Sequence, residues 1–201
     1  MTQTIMTLPT PTATPGPIPQ VYLSFSAEIN ATTTEALIAQ LASYASGGLS
    51  TVCLLLSTPG GSVMNGMNLY NVMRAMPFEL IVHNVGNVDS IGNAIFAAGT
   101  HRYACEHSTF MFHGVGFDVP PNTRFEQKQL RELQDSVEAD QKRIGDILQE
   151  RTSLTAEEVS DLFLEARTKD ARYAVSRGIV HQVRDVEIPP GTPVNSLVFQ
   201  R

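Results

Sequence analysis

Three short apolar runs each end in residues that chemistry can use, and this pattern limits the fold more than any other feature of the chain. Residues 51–56 lead into Ser57-Thr58-Pro59-Gly60-Gly61-Ser62-Val63. Residues 80–85 lead, past a turn expected at Gly86, into Val88-Asp89-Ser90-Ile91-Gly92-Asn93-Ala94. Residues 109–112 end on His113-Gly114. Aliphatic runs of this length bounded by Gly and Pro read as strands, and a run without polar alternation reads as one buried on both faces. Residues 21–25 read as a further strand.

Helical patterns lie between the strands. Leu37, Ile38, Leu41 and Tyr44 recur at helical spacing behind Thr32, Thr33 and Thr34, one of which is expected to cap. Gly47-Gly48 ends that helix. A second helix is expected from Val63 to Met76, stopped by Pro77. A third is expected from Ser90 to Ala98, small and apolar on every side. Strand and helix alternate, which argues a stacked α/β fold. Beyond a loop over residues 117–122, Thr123 is expected to open a long helix reaching Arg151. Its stripe of Leu130, Leu133, Val137, Ile144, Ile147 and Leu148 reads as core, with oligomer contact the second reading. Thr155 and Asp170 read as caps of two shorter helices, and residues 179–183 as a last strand. The expected organisation is a flexible Thr/Pro-rich arm over residues 1–20, one domain over 21–184 and a tail over 185–201.

The formal net charge of −6 argues against a nucleic-acid surface. No Lys or Arg precedes Arg74, so the first part reads as core and the last third as solvated helices. The two cysteines, Cys53 and Cys105, make neither a disulfide framework nor a metal cluster. No apolar run reaches a membrane span, and the N-terminus lacks the features of a signal peptide, so a cytoplasmic location is expected.

Serine needs a base to become a nucleophile, and N–H donors where the oxyanion forms. Ser90 stands at a strand-to-helix turn, where a hydroxyl is exposed, although a helix cap is the plain alternative. His113 ends a strand. Gly60-Gly61 permits close backbone approach to a ligand.

Together these segments resemble the proteolytic subunit of the Clp protease. The run from Ser57 to Val63 is similar to that family's S-P-G-G-S-V segment. Ser90-Ile91-Gly92, with Ala97-Ala98-Gly99, is similar to its nucleophile helix, and Phe110-Met111-Phe112-His113 to the strand carrying its histidine. The resemblance covers about residues 21–183. It implies a ClpP/crotonase-like fold of stacked β-β-α units with a long projecting helix. It also implies a serine endopeptidase with Ser90 as nucleophile, His113 as general base, and the N–H groups of Gly61 and Ile91 as oxyanion hole. An extended peptide would bind by strand addition against Ser62, Val63 and Gly114. No cofactor or metal is implied. The implied partners are peptide or unfolded protein substrates, other copies of the chain in a heptameric ring or double ring stacked through the long helix, and an AAA+ unfoldase.

The family's aspartate falls on Ala166. Glu165, next to it, is the candidate acid, while Asp170 reads as a cap. Lys128 is the candidate for a Ser–Lys dyad and is better explained as a solvated helix residue. Asp89 adjoins the nucleophile and would alter the electrostatics there. The missing aspartate motivates an alternative, a catalytically impaired ring scaffold or regulator. A crotonase-like acyl-CoA enzyme is the third reading, and the Ser–His pair counts against it.

Overall fold

The structure is a computed structural model that describes residues 20–199. The expected arm, apart from Gln20, lies outside the described residues. Strands β1 (Gln20–Ser26), β2 (Thr51–Thr58) and β3 (Glu79–Asp89) run parallel in one sheet. Helices α1 (Ala31–Ser46) and α2 (Val63–Ala75) connect them. Then come α3 (Gly92–Ala97), β4 (His101–Ala104), β5 (Thr109–Met111), α4 (Gln127–Arg151) and α5 (Ala156–Glu165). The chain closes with β6 (Thr168–Asp170), α6 (Ala171–Ser176), β7 (Gln182–Val183) and β8 (Val194–Leu197). The sheet order is β6-β5-β3-β2-β1-β8, with β4 paired to β3 and β7. Only β5–β6 is antiparallel among these pairs.

Val52, Leu54 and Leu56 are buried on one side of β2, in the core with Leu37, Leu41 and Leu69 of the helices. Cys53 and Leu55 line a cavity of about 510 Å³ on the other side. Strand alternation makes this division, so β2 is not enclosed equally on both faces as the run suggested.

β3 is longer than its sequence suggested. Gly86 does not turn the chain: the strand passes through it and reaches Asp89. Its outer edge pairs first with β4, over residues 81–84, and then with β5, over residues 87–89. Buried Asn84 stitches the change of partner. Its side-chain amide donates to Thr109 O (2.8 Å), and its Oδ1 accepts from the Gly86 N–H (3.0 Å). This fork brings β5, and with it His113, beside the end of β3.

Other boundaries also moved. Asn30 caps α1 by accepting from the Thr33 N–H, and Thr33 completes the capping box, so no threonine is the cap. The long helix opens at Gln127 behind Glu126, because Thr123 is held in a turn on Pro120. Its core residues are confined to the second half (Ile144, Gly145, Ile147 and Leu148), whereas Leu130 is 52% exposed. The sequence stripe is therefore core only in part. Thr155 and Asp170 cap α5 and α6 as expected. The C-terminal segment is not simply a tail: β8 pairs parallel with β1, and Phe199 packs edge-on against Phe25.

Two histidines, buried His83 and the more exposed His181, are tuned by this packing. His83 donates through Nε2 to Arg184 O (3.0 Å), and burial holds it below the usual histidine range. His181 Nδ1 accepts from the Arg102 N–H (3.2 Å), and burial, then the Arg102 charge, hold it low. Arg102 itself is buried, donates to four carbonyls, and is lowered by burial to about 10. Both histidines bind protons more weakly folded than unfolded, so their contribution is full above about pH 6.5 and is lost as pH falls below it. The urea midpoint is expected to drop between pH 7.5 and 5.5. His181→Asn, which keeps an acceptor facing the Arg102 N–H, is expected to make that drop shallower.

Candidate active site

Ser90, His113 and Gly61 line one small cavity of about 80 Å³, together with Val63, Asn93, Phe112 and Gly114. Ser90 follows the last residue of β3, and its backbone is left-handed, with φ 57°. A non-glycine residue there is strained by about 1–3 kcal/mol and persists only when its surroundings enforce it. Here the Ser90 N–H donates to Met111 O (2.8 Å), and Ser90 O accepts from the Asn93 N–H (3.1 Å). Ser90 is not the cap of α3; Ile91 holds that position, without a side-chain cap bond.

The glycine pair answers the same geometry. A Cβ on Gly60 would lie 2.6 Å from Ser90 Cβ, and one on Gly61 2.2 Å from Ile29 O. Gly61 is bracketed by a short parallel bridge, in which Ile29 N–H donates to Gly60 O (2.7 Å) and Ser62 N–H donates to Ile29 O (2.8 Å). Among the described residues, the N–H groups of Gly61 and Ile91 have no acceptor, so both remain available to an oxyanion. Ile91 is fixed from behind by α2: a Cβ on Gly66 would come within 2.2 Å of its Cγ1.

His113 Nδ1 lies 2.7 Å from Gly114 O. A carbonyl only accepts, so Nδ1 carries the proton and Nε2 keeps the lone pair that a general base needs. No hydrogen bond joins His113 to the Ser90 hydroxyl among the described residues. The structure does not bring Glu165 to His113. Its carboxylate is exposed and accepts from Lys169 Nζ (2.7 Å), whose hydrogen bond and charge hold it below the usual carboxylate range. Ala166 is the left-handed C-cap of α5, at φ 49°. Asp170 Oδ1 accepts from the Tyr173 N–H at the start of α6. Lys128 pairs with Glu132 on the exposed half of α4 and does not line the cavity. Asp89 is held by the Asn87 amide (2.6 Å), which also contacts Thr58 O.

Ser62 serves α2 as N-cap, accepting from the Asn65 N–H (3.4 Å) and the Asn65 side-chain amide (3.0 Å). Gly114 N–H donates to Phe163 O (3.1 Å), and Val115 N–H to Gln141 Oε1 (3.0 Å). The backbone after His113 is thus tied down by α5 and α4. Beside it, a groove of about 520 Å³ is walled by apolar Val63, Met64, Phe117, Leu133 and Val137 together with Glu28, Asp118 and Asp140. The sequence reading missed Asn93 and Gln141. Asn93 had a visible signal, as the one polar residue within the run 91–98; Gln141 had none on its charged helix.

With this geometry in place, the comparisons with known proteins are decisive. The family model for Clp protease matches residues 19–187. The chain belongs to the Clp protease family. It is 27% identical over 138 residues to an ATP-dependent Clp protease proteolytic subunit 1 of Leifsonia xyli, covering 67% of each chain. It is 37% identical over 71 residues to the proteolytic subunit 1 of Corynebacterium jeikeium, covering 32% of this chain and only 38% of that relative's length. A solved ClpP1 mutant from Listeria monocytogenes superposes with a TM-score of 0.72 at 19% identity, covering 82% of this chain and 91% of that one. That likeness establishes the ClpP fold. Among the described residues, no helix is long and apolar enough to cross a membrane.

Gly66→Ala tests how tightly the site is braced. Its new methyl group must displace buried Ile91, and overpacking of this kind is expected to destabilise by about 1–3 kcal/mol, read as a lower urea midpoint at unchanged m-value.

Proposed function

We propose that the chain is a serine endopeptidase of the Clp proteolytic type. The observation that carries this reading is the gathering of Ser90, His113 and the free N–H of Gly61 around one cavity. Ser90 Oγ attacks the peptide carbonyl while its proton passes to His113 Nε2. The oxyanion is held by the N–H groups of Gly61 and Ile91. His113 returns the proton to the leaving amine, which departs as the C–N bond breaks. Water then attacks the acyl-enzyme with His113 as base, and the acid product leaves as Ser90 regains its proton.

The imidazolium formed on the way is stabilised by a neutral carbonyl rather than a carboxylate. Charge-assisted hydrogen bonds are roughly twice as strong as neutral ones, so turnover is expected to be slow. A fluorophosphonate probe is expected to label the wild type at Ser90. Ser90→Ala abolishes labelling, and His113→Ala slows it on the order of 10²–10⁴-fold. Equal weak labelling of wild type and Ser90→Ala sinks the peptidase reading. It would favour the alternative that Ala166 and the Gly114 carbonyl motivate, a catalytically impaired ring component.

The same reading carries the assembly proposed for the chain: a cytoplasmic homo-oligomeric ring, stacked through α4, taking peptides or unfolded protein from an AAA+ unfoldase. The exposed, Leu130-bearing half of α4 supports a contact there. Leu130→Glu is expected to halve the particle mass in mass photometry. An unchanged mass would remove α4 as the stacking element.

A further inference from the structure

Asn93 lies in the first turn of α3, in a segment otherwise made of glycine, alanine, isoleucine and phenylalanine. It is 2% exposed, and its side chain lines the cavity shared by Ser90 and His113. Its Nδ2 donates to two carbonyls, Met111 O at 2.8 Å and Ser90 O at 3.1 Å. Met111 O also accepts the Ser90 N–H at 2.8 Å. The result is a closed circuit: the N–H of Ser90 reaches the end of β5, and the carbonyl of Ser90 is tied to the same point through the Asn93 amide. Met111 stands two residues before His113. The circuit therefore joins the peptide of the nucleophile, on both sides of its Cα, to the strand that delivers the base.

The orientation of the amide is fixed by chemistry. Exchanging its ends would set Oδ1 against two carbonyl oxygens. The donor end is thus engaged, and Oδ1 is left buried without a partner among the described residues. An orphaned buried acceptor opposes folding, and an apolar residue at this position would avoid it. Neighbouring Ala94, Ala97 and Ala98 show how apolar the surroundings are. Against that cost stands the backbone of Ser90, which is left-handed without being glycine.

We propose that Asn93 is the positioning residue of the acyl-transfer site: its amide clamps the Ser90 turn to β5 and so fixes the nucleophile relative to His113. The inference rests on Ser90 and His113 being the reacting pair, but the clamp itself can be measured independently. The test uses the full chain with Asn93→Ala and Asn93→Leu, the second of similar shape without either polar atom. One arm follows amide hydrogen exchange at Ser90; the other follows fluorophosphonate labelling and the kcat and KM of a fluorogenic peptide. Faster Ser90 exchange is expected in each folded variant. Labelling is expected to slow on the order of ten- to a hundredfold, with kcat reduced and KM held, since misplacement by about an ångström suffices for such losses. Unchanged Ser90 exchange in a folded variant overturns the clamp. Faster exchange with wild-type labelling and kcat overturns its role in positioning. If the wild type itself does not label, the peptidase reading fails, and the exchange arm still decides whether Asn93 holds the turn.

Discussion

The left-handed peptide at Ser90 is the constraint on which the rest of the site depends. It needs β3 to continue to Asp89, past a shift of register against β2 between Asn84 and Val88, so that the chain arrives at the turn from inside the sheet. It needs β5 beside that end to accept the Ser90 N–H, and β5 gains its place only where β4 leaves the edge of β3. Lastly, it needs a residue without Cβ at position 60, because Ser90 Cβ occupies that space. The fork at Asn84, the Gly60-Gly61 turn and the Asn93 amide are three responses to one strained residue. The strain is held by hydrogen bonds already made in the folded chain, so the Ser90 turn is set before any ligand arrives.

His113, the proposed base, is held differently. An imidazole needs an acceptor at Nδ1 to choose its tautomer, and a carbonyl does this as well as a carboxylate. What a carbonyl lacks is the full negative charge that steadies the imidazolium. Glu165, adjacent to the position of the family's acid, cannot supply that charge while it is turned outward onto Lys169. The i,i+4 pairing at the end of α5 is a local attraction between exposed groups, weak in itself. Orientation and charge stabilisation, which one aspartate would combine, are separated in this chain.

Much of this was legible in the sequence, and the exceptions have physical causes. The apolar runs over 51–56 and 109–112 read as strands and form β2 and β5, with their ends shifted to Thr58 and Met111; Ser90, His113 and Gly61 stand out in the segments that follow, whereas Ile91 comes from the family resemblance. Gly86 misled because glycine usually marks a turn; here its lack of a side chain accommodates Ser57, whose Oγ a Cβ would meet at 2.9 Å. Thr123 misled because capping depends on which N–H is free, and its hydroxyl is engaged by Pro120. β8 was invisible because a strand at a parallel edge needs a partner contributed from far away in sequence, here β1. Asn93 was passed over inside an apolar run, although a lone polar residue in such a run is the informative one.

The tied-down backbone after His113 also changes how a peptide would be read. Strand addition gains most where the protein edge has free N–H and C=O groups. Here the Gly114 and Val115 N–H groups already donate to Phe163 O and Gln141 Oε1. A substrate carbonyl pairing with Val115 must displace the Gln141 amide, exchanging one hydrogen bond for another. The net gain from such an exchange is small, since the amide released is itself a peptide-like acceptor. The neighbouring groove is mixed in character: Val63, Met64, Phe117, Leu133 and Val137 share its wall with Glu28, Asp118 and Asp140, and Met64 stands 73% exposed. An apolar peptide side chain would bury surface against the Val63, Met64, Phe117, Leu133 and Val137 part of that wall at about 25 cal/mol per Å². A peptide bound there would meet both an apolar wall and three carboxylates, so apolar and basic side chains are the ones this groove suits.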